Sequence, residues 1–288
     1  MSILEQFGDI PIKINFVAVV KLLIRLFKKK KEMCFKKIAE WFKPDPVIPD
    51  PVEGNLVLLS FGINDYPGTQ NDLNLCLQDL DIAANKLSSY WPGIFIHRYE
   101  DSQVKRQFFK DQIIEALKQH WDTVLVLMDC CFSEDNTRNP GDEDRGRFVP
   151  PKKKFKFRKI RKPFLKNAEM KWIAFSACQD YQTASDGCFT PYAFAVLKPE
   201  MTYYDWYMLT KTRIAESHFK QIPEIQGPNE LLNKKVFSDK TLIIQYSGHG
   251  TFGQDYNHDE ADGQDEMLYV HDGCVVDDEL SEILSTIH

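Results

Sequence analysis

Two short stretches hold the residues best placed by type to do chemistry. Residues 124–133 (VLVLMDCCFS) run from apolar side chains straight into Asp129 and the adjacent thiols Cys130 and Cys131. Residues 241–250 (TLIIQYSGHG) do the same and end in Ser247-Gly248-His249-Gly250. A thiol attacks as its thiolate, and an imidazole within reach can take its proton and later give it to a leaving group. Glycines on either side of the histidine allow close backbone approach, and a free N–H there could hold an oxyanion. Cys131 and His249 together therefore point to nucleophilic acyl transfer. The plainer alternative is a core strand that ends in two buried cysteines, since free cysteine is among the most buried residue types.

Both stretches must be positioned by a sheet. A continuous apolar run of this length reads as a strand covered on both faces, as in the middle of a parallel sheet. Ligands of open α/β sheets bind beyond the carboxyl ends of such strands. Neighbouring strands lie about 4.8 Å apart, so groups at two strand ends can share one crevice. The surrounding sequence supplies the other parts. Residues 55–61 (NLVLLSF) predict a strand, 71–89 a helix with Leu73, Cys76, Leu77, Leu80 and Ile82 on one face, and 93–99 a short strand. A second helix is predicted over 102–117, a strand over 171–178, a helix start at 189–197 and a further helix over 204–218. A last helix is expected over 277–287. This alternation predicts a wound, mainly parallel α/β sheet with helices on both faces.

The flanking and connecting segments differ in composition. Residues 14–27 are apolar but carry Lys21 and Arg25 and are followed by four lysines. The segment is too short and too charged for a spanning helix and lacks a signal-peptide cleavage pattern. With residues 34–42 it makes a basic amphipathic segment, which could lie on an anionic membrane surface or dock on the protein itself. Residues 44–51 (PDPVIPDP) form a stiff linker. The expected division is thus 1–52, basic segment and linker, and 53–288, the main domain. Within the latter, 138–171 is polar and then strongly basic (KKKFKFRKIRKPFLK over 152–166). Basic residues alternating with phenylalanine can bind single-stranded nucleic acid, but no nucleic-acid fold surrounds them, so a solvated connector is preferred. The 288 residues have a net charge of −6, with no overall nucleic-acid signature. Seven scattered cysteines make no disulfide framework and no C-x-x-C zinc pair, which fits a reducing, cytoplasmic setting. A monomer is expected.

Several motifs together resemble the metacaspases, of the caspase/hemoglobinase-like group of cysteine peptidases. They are Gly62-Ile-Asn-Asp-Tyr-Pro-Gly-Thr-Gln-Asn-Asp-Leu73 with Cys76 and Asp79, Asp129-Cys-Cys131, Ser176-Ala-Cys-Gln-Asp180 with Gln182-Thr-Ala184, and Tyr246-Ser-Gly-His-Gly-Thr251. Arg145-Gly-Arg-Phe-Val-Pro150, Gln221-Ile-Pro223 and the acidic run 259–266 followed by Asp277-Asp-Glu-Leu280 are also similar to the family's. The resemblance covers roughly 53–288. It implies a caspase-like three-layer sandwich and a peptidase cutting protein or peptide substrates after arginine or lysine, through a thioester. By resemblance Cys131 is the nucleophile, His249 the general base and acid, and the backbone at Gly250 and Cys131 the oxyanion site. Asp129, Asp79, Cys76 and Ser247 would line the pocket for the basic side chain, a role that suits carboxylates facing a desolvated guanidinium.

The resemblance also implies calcium as an activator, with Asp265, Asp277 and Asp278 as ligands and Asp135 as the nearest further candidate. Hard cations take oxygen ligands, but a solvated acidic loop and acids at a helix N-terminus would leave the same pattern. An enzyme that prefers basic residues and carries a lysine-rich connector invites self-cleavage there, within 152–171. The candidates are Lys152, Lys153, Lys154, Arg158, Arg161 and Lys166. The chain departs from the family pattern in three ways. The usual Cys-His-Ser-Gly continuation is Cys131-Phe-Ser-Glu134. The histidine unit, 238–288, comes last rather than before the cysteine strand. The basic N-terminal segment is additional. Either the last unit sets its strand beside the cysteine strand, or the sequence is a rearranged form of the family's chain. A catalytically inactive scaffold and a nucleic-acid or membrane module are the competing classes.

Overall fold

The computed structural model describes residues 55–67, 72–130, 147, 170–179, 182, 184–254 and 264–287. The chain divides into two units, Met1–Val47 and Ile48–His288, and all described residues belong to the second. The basic N-terminal segment and the Pro-rich linker therefore lie outside the described residues, as do Cys131, Asp135 and the connector lysines and arginines from Lys152 to Lys166.

A six-stranded sheet forms the middle layer. Its strands are β1 (Leu56–Gly62), β2 (Phe95–Glu100), β3 (Thr123–Asp129), β4 (Ile173–Ser176), β5 (Glu224–Gln226) and β6 (Thr241–Ser247). The spatial order is β2-β1-β6-β3-β4-β5, and every pairing is parallel except β4 with β5. The predicted mainly parallel α/β sheet is present. It also shows where the last unit sets its strand. Although last in sequence, β6 lies between β1 and β3, with Ser247 opposite both Gly62 and Asp129. A strand in the middle of a parallel sheet is covered on both faces, which explains why every residue of β3 and β6 is buried.

Side-chain alternation along the strands builds two cores. Leu59, Phe61, Val124, Val126, Met128, Leu242, Ile244 and Tyr246 face one of them. Leu56, Leu58, Leu125, Leu127 and Ile243 face the other. The first is covered by α2 (Arg106–Leu117) through Phe109 and Ile113, and by α6 (Asp277–Leu284) through Leu280 and Leu284. The second is covered by α1 (Cys76–Tyr90), α3 (Phe189–Val196) and α4 (Tyr203–Ala215), through Ala83, Leu87, Phe189, Phe194 and Trp206. Helices therefore pack on both faces, giving three layers. A single turn of helix, α5 (Asn229–Leu232), precedes β6.

Two boundaries differ from expectation. The first helix starts at Cys76 rather than residue 71, because Asn64 and Asp72 draw the preceding segment into a turn: Leu73 N–H donates to the Asn64 carbonyl (3.0 Å) and Tyr66 N–H to Asp72 Oδ1 (3.0 Å). The second starts at Arg106 rather than 102, after a short 3-10 turn at Asp101–Gln103 whose Asp101 carboxylate accepts from the N–H groups of Asn64 and Asp65. In both places a short polar side chain accepts from backbone N–H groups outside the helix, and the helix begins after it.

Beyond β6 the chain forms an antiparallel sheet, β7 (His249–Gln254), β8 (Gln264–Val270) and β9 (Gly273–Val276), and closes with α6. This unit is tied to α2 at several points. Asp272 accepts from the N–H of Arg106 (2.6 Å), and Glu279 pairs with Arg106 and Lys110 (2.7 and 3.1 Å). Asp277, Asp278 and Glu279 occupy the first turn of α6, where carboxylates are favoured by the helix dipole. Among the described residues no helix is long and apolar enough to cross a membrane.

Candidate active site

The carboxyl ends of β1, β6 and β3 meet at one edge of the sheet. Ile63 N–H donates to the Ser247 carbonyl (3.0 Å), and Gly248 N–H to that of Asp129 (3.3 Å). Asp129 and Ser247 face each other as the last rung of β3 and β6, and His249 opens β7 two residues after Ser247. The strand order thus sets the segment leading to His249 beside the strand that ends at Asp129. Cys130, the last described residue before Cys131, is buried, and that burial pushes its thiol well above the ordinary range. A thiol so placed stays protonated, as befits a structural cysteine.

His249 is held from several sides. Its N–H donates to the Tyr66 hydroxyl (2.7 Å), and its ring lies against the Tyr66 ring, with centroids 4.7 Å apart. The Tyr246 hydroxyl lies 2.9 Å from the His249 carbonyl and 2.8 Å from that of Tyr269 on β8. A Cβ on Gly248 would stand 2.5 Å from the Tyr246 hydroxyl and 2.7 Å from that of Tyr66, so only glycine fits between the two phenols. The tyrosines of two motifs, Tyr66 and Tyr246, therefore fix the backbone that carries the imidazole.

Beside His249 lies an acidic pocket, already filled. The Arg147 side chain is fully buried, and its guanidinium pairs with Asp79, Asp129 (2.8 Å) and Asp186 (2.9 Å). It also donates to the Ser247 hydroxyl and the Asp129 carbonyl, both at 2.8 Å. Each wall is anchored in turn. Ser247 Oγ donates to Asp79 (2.8 Å), and Asp129 accepts from both the N–H and the hydroxyl of Thr190 at the start of α3 (3.0 and 2.6 Å). Asp186 accepts from Asn74 N–H (3.1 Å). Cys76 N–H donates to Asn64 Oδ1 (2.9 Å), and its buried thiol completes the lining next to Ser247. Burial pushes Asp79 up to about 7 against the opposing pull of Arg147, and raises Asp129 for the same reason. A buried guanidinium needs this density of acceptors, because an unpaired one would be very costly.

The main chain of Arg147 is held as firmly as its side chain. Its N–H donates to the Ala184 carbonyl (2.9 Å), and its own carbonyl accepts from Gly250 N–H (2.9 Å). The loop that supplies Ala184 and Asp186 is braced by Gln221, which accepts from Ser185 N–H (2.8 Å) and donates to the Ala177 carbonyl (3.0 Å).

The structure brings Asp129, Asp79, Cys76 and Ser247 together around one guanidinium, and sets His249 and Gly250 next to them. Sequence reasoning missed Asp186, Thr190 and Tyr66 as site residues, and had Arg147 only as part of a motif. Asp129 is also satisfied in part by the Thr190 N–H. Of the expected metal ligands, Asp265 on β8 and Asp277 on α6 are buried, and Asp278 is half-buried. The pairing of Met267 with Val276 brings Asp277 to the end of β8 that holds Asp265. Carboxylate oxygens suit calcium, but among the described residues no group of three or more His, Cys, Asp or Glu is gathered as a metal site.

Fold and site define a mainly parallel α/β protein with an arginine-binding acidic pocket and a histidine at adjoining strand ends. The chain is 46% identical over 48 residues to metacaspase-3 of Arabidopsis thaliana, a match covering 15% of this chain and 13% of that protein. It therefore spans only a small part of that relative. No protein-family profile matches the chain. A Geobacter sulfurreducens protein solved as a structural-genomics target is 15% identical, with a TM-score of 0.44 over 64% of this chain and 98% of that one.

Proposed function

We propose that this protein is a cysteine endopeptidase that cleaves protein or peptide substrates after arginine, with lysine as the second choice. The observation that carries the reading is the Arg147 cradle. A guanidinium sits among Asp79, Asp129 and Asp186 while the carbonyl of the same residue accepts the N–H of Gly250, next to His249. A pocket so arranged selects the side chain and presents its carbonyl to the imidazole end of the site. In this reading Cys131 attacks that carbonyl with loss of its proton to His249. The Gly250 N–H stabilises the oxyanion, and the protonated imidazole releases the amine. Water then hydrolyses the thioester. Arginine is preferred over lysine because its planar fork can meet two carboxylates at once.

Calcium stimulation and self-cleavage in the basic connector 152–171 belong to the same proposal, the first supported by the oxygen chemistry of Asp265 and Asp277. A specific observation also favours a second reading. The pocket is filled by the chain's own arginine, as it would be in an inactive scaffold that uses the cradle as structure. Fluorogenic peptides ending in arginine decide between them. The peptidase is expected to hydrolyse them, faster with added calcium, and Cys131→Ala or His249→Ala to lower kcat by at least about a hundredfold. A wild type that hydrolyses none of them, or hydrolysis that survives both substitutions, removes the peptidase and leaves the scaffold.

A further inference from the structure

Three carboxylates surround the Arg147 guanidinium, and they meet different parts of it. Nη1 pairs with Asp129 and donates to Ser247 Oγ, both at 2.8 Å, and Nη2 donates to Asp79. Asp186 takes the remaining edge: its Oδ1 accepts from Nε at 3.2 Å and from Nη2 at 2.9 Å. Its other oxygen, Oδ2, accepts from Asn74 N–H at 3.1 Å. The loop around Asp186 is shaped to hold it there. Gly187 has φ +76°, a left-handed conformation, and a Cβ on it would stand 2.3 Å from Leu75 Cδ1, so only glycine lets the loop lie this close to residues 74 and 75. Ser185 N–H is fixed by Gln221 at 2.8 Å, and the Asp186 side chain is only 5% exposed.

We propose that Asp186 is the residue that makes this pocket select a guanidinium over an ammonium. For substrates this rests on the peptidase reading, and it names the group that ranks arginine above lysine. The two side chains share their first three carbons; the next atom is Nε–H in arginine and a methylene in lysine. A lysine threaded along the same path sets its ammonium where the guanidinium carbon lies. From there its donors reach towards Asp79, Asp129 and Ser247, while its methylene is turned to Asp186. A buried carboxylate oxygen then loses charge-assisted hydrogen bonds and faces an apolar group, which is costly. Asp79 and Asp129 favour either cation. Asp186 favours the Nε–Nη2 edge that lysine lacks.

The test uses the full chain and two readouts. In the first, kcat/KM is measured for matched coumarin peptides ending in arginine and in lysine, with wild type and Asp186→Asn. An amide matches the carboxylate in shape but has one acceptor oxygen, so it cannot serve Asn74 N–H and the guanidinium together. Both peptides must displace the same Arg147, so its competition cancels in their ratio. The arginine-to-lysine ratio is expected to fall about tenfold or more in Asp186→Asn. In the second, denaturant midpoints are compared for wild type, Arg147→Lys, Asp186→Asn and the double variant, which needs no activity. Arg147→Lys is expected to lower the midpoint of the wild type, and by less than about half as much in the Asp186→Asn background. An unchanged ratio, with both peptides slowed alike, overturns the inference and leaves the peptidase. Equal midpoint shifts in the two backgrounds overturn it whether or not hydrolysis occurs. A wild type that hydrolyses neither peptide, while the midpoints show the coupling, removes the peptidase reading and leaves Asp186 as the selector of the chain's own arginine.

Discussion

Asp79 reports on what the pocket binds. Burial pushes it up to about 7 even with a guanidinium beside it, and that guanidinium is the largest influence pulling it down. An empty pocket therefore holds its proton to higher pH than a filled one. Binding of an arginine side chain releases that proton in the window from about 7 up to the empty-pocket value, so affinity rises with pH there. For the proposed peptidase, KM for an arginine substrate is expected to fall as pH is raised above about 7, by up to about tenfold per unit, while an uncharged analogue shows no such trend. A KM for arginine that stays level across this range would mean that Asp79 does not meet the guanidinium. The cysteine pair divides on similar grounds. Burial keeps Cys130 a thiol, so the proposed nucleophile is the other member of the pair, Cys131.

Among the elements, α3 and the β6–β7 turn carry the site. The first turn of α3 presents Thr190 to Asp129 through two hydrogen bonds. Thr190→Val keeps the shape and the N–H but loses the hydroxyl. It is expected to cost about 1–3 kcal/mol of stability and to raise KM for arginine peptides more than it lowers kcat, read by denaturant melts and steady-state kinetics. Gly248→Ala asks for more. Its new Cβ would meet two buried phenol oxygens at 2.5 and 2.7 Å, so the turn that carries His249 must move. The expected outcome is a loss of about 1–3 kcal/mol together with loss of peptide hydrolysis, whereas Gly273→Ala, where a Cβ meets nothing within 4 Å, should leave activity unchanged. Equal effects of the two would mean that the packing around Gly248 is not what positions the imidazole.

For the whole molecule, strand order has a consequence for cleavage. The proposed cut within 152–171 leaves β1, β2 and β3 on one fragment and β4, β5 and β6 on the other. Because β6 lies between β1 and β3, the fragments interdigitate within one sheet. They share both cores and the ties between Glu279 and α2. The cut protein is expected to run as a single species on size exclusion and to separate only in denaturant. Fragments that parted in native buffer would require a different strand order. Removal of residues 238–288 should abolish folding, since it takes out a strand buried along its entire length.

The sequence by itself determined the periodic elements, the mainly parallel sheet and the two strands that end in chemistry. Runs such as TLIIQYS and VLVLMD have one comfortable place, a sheet covered on both faces. It also singled out Asp79, Asp129, Cys76 and Ser247, through a resemblance rather than through spacing. Tertiary structure alone decided what those four residues surround. Strand order is set by which apolar faces pack together, not by order along the chain, so only the fold could show β6 between β1 and β3. The partners of a buried charge come from wherever the chain returns. Arg147, Asp186 and Thr190 are far from Asp79 in sequence, and none is marked by periodicity. A guanidinium removed from water must find carboxylates, and the fold brings three of them to Arg147.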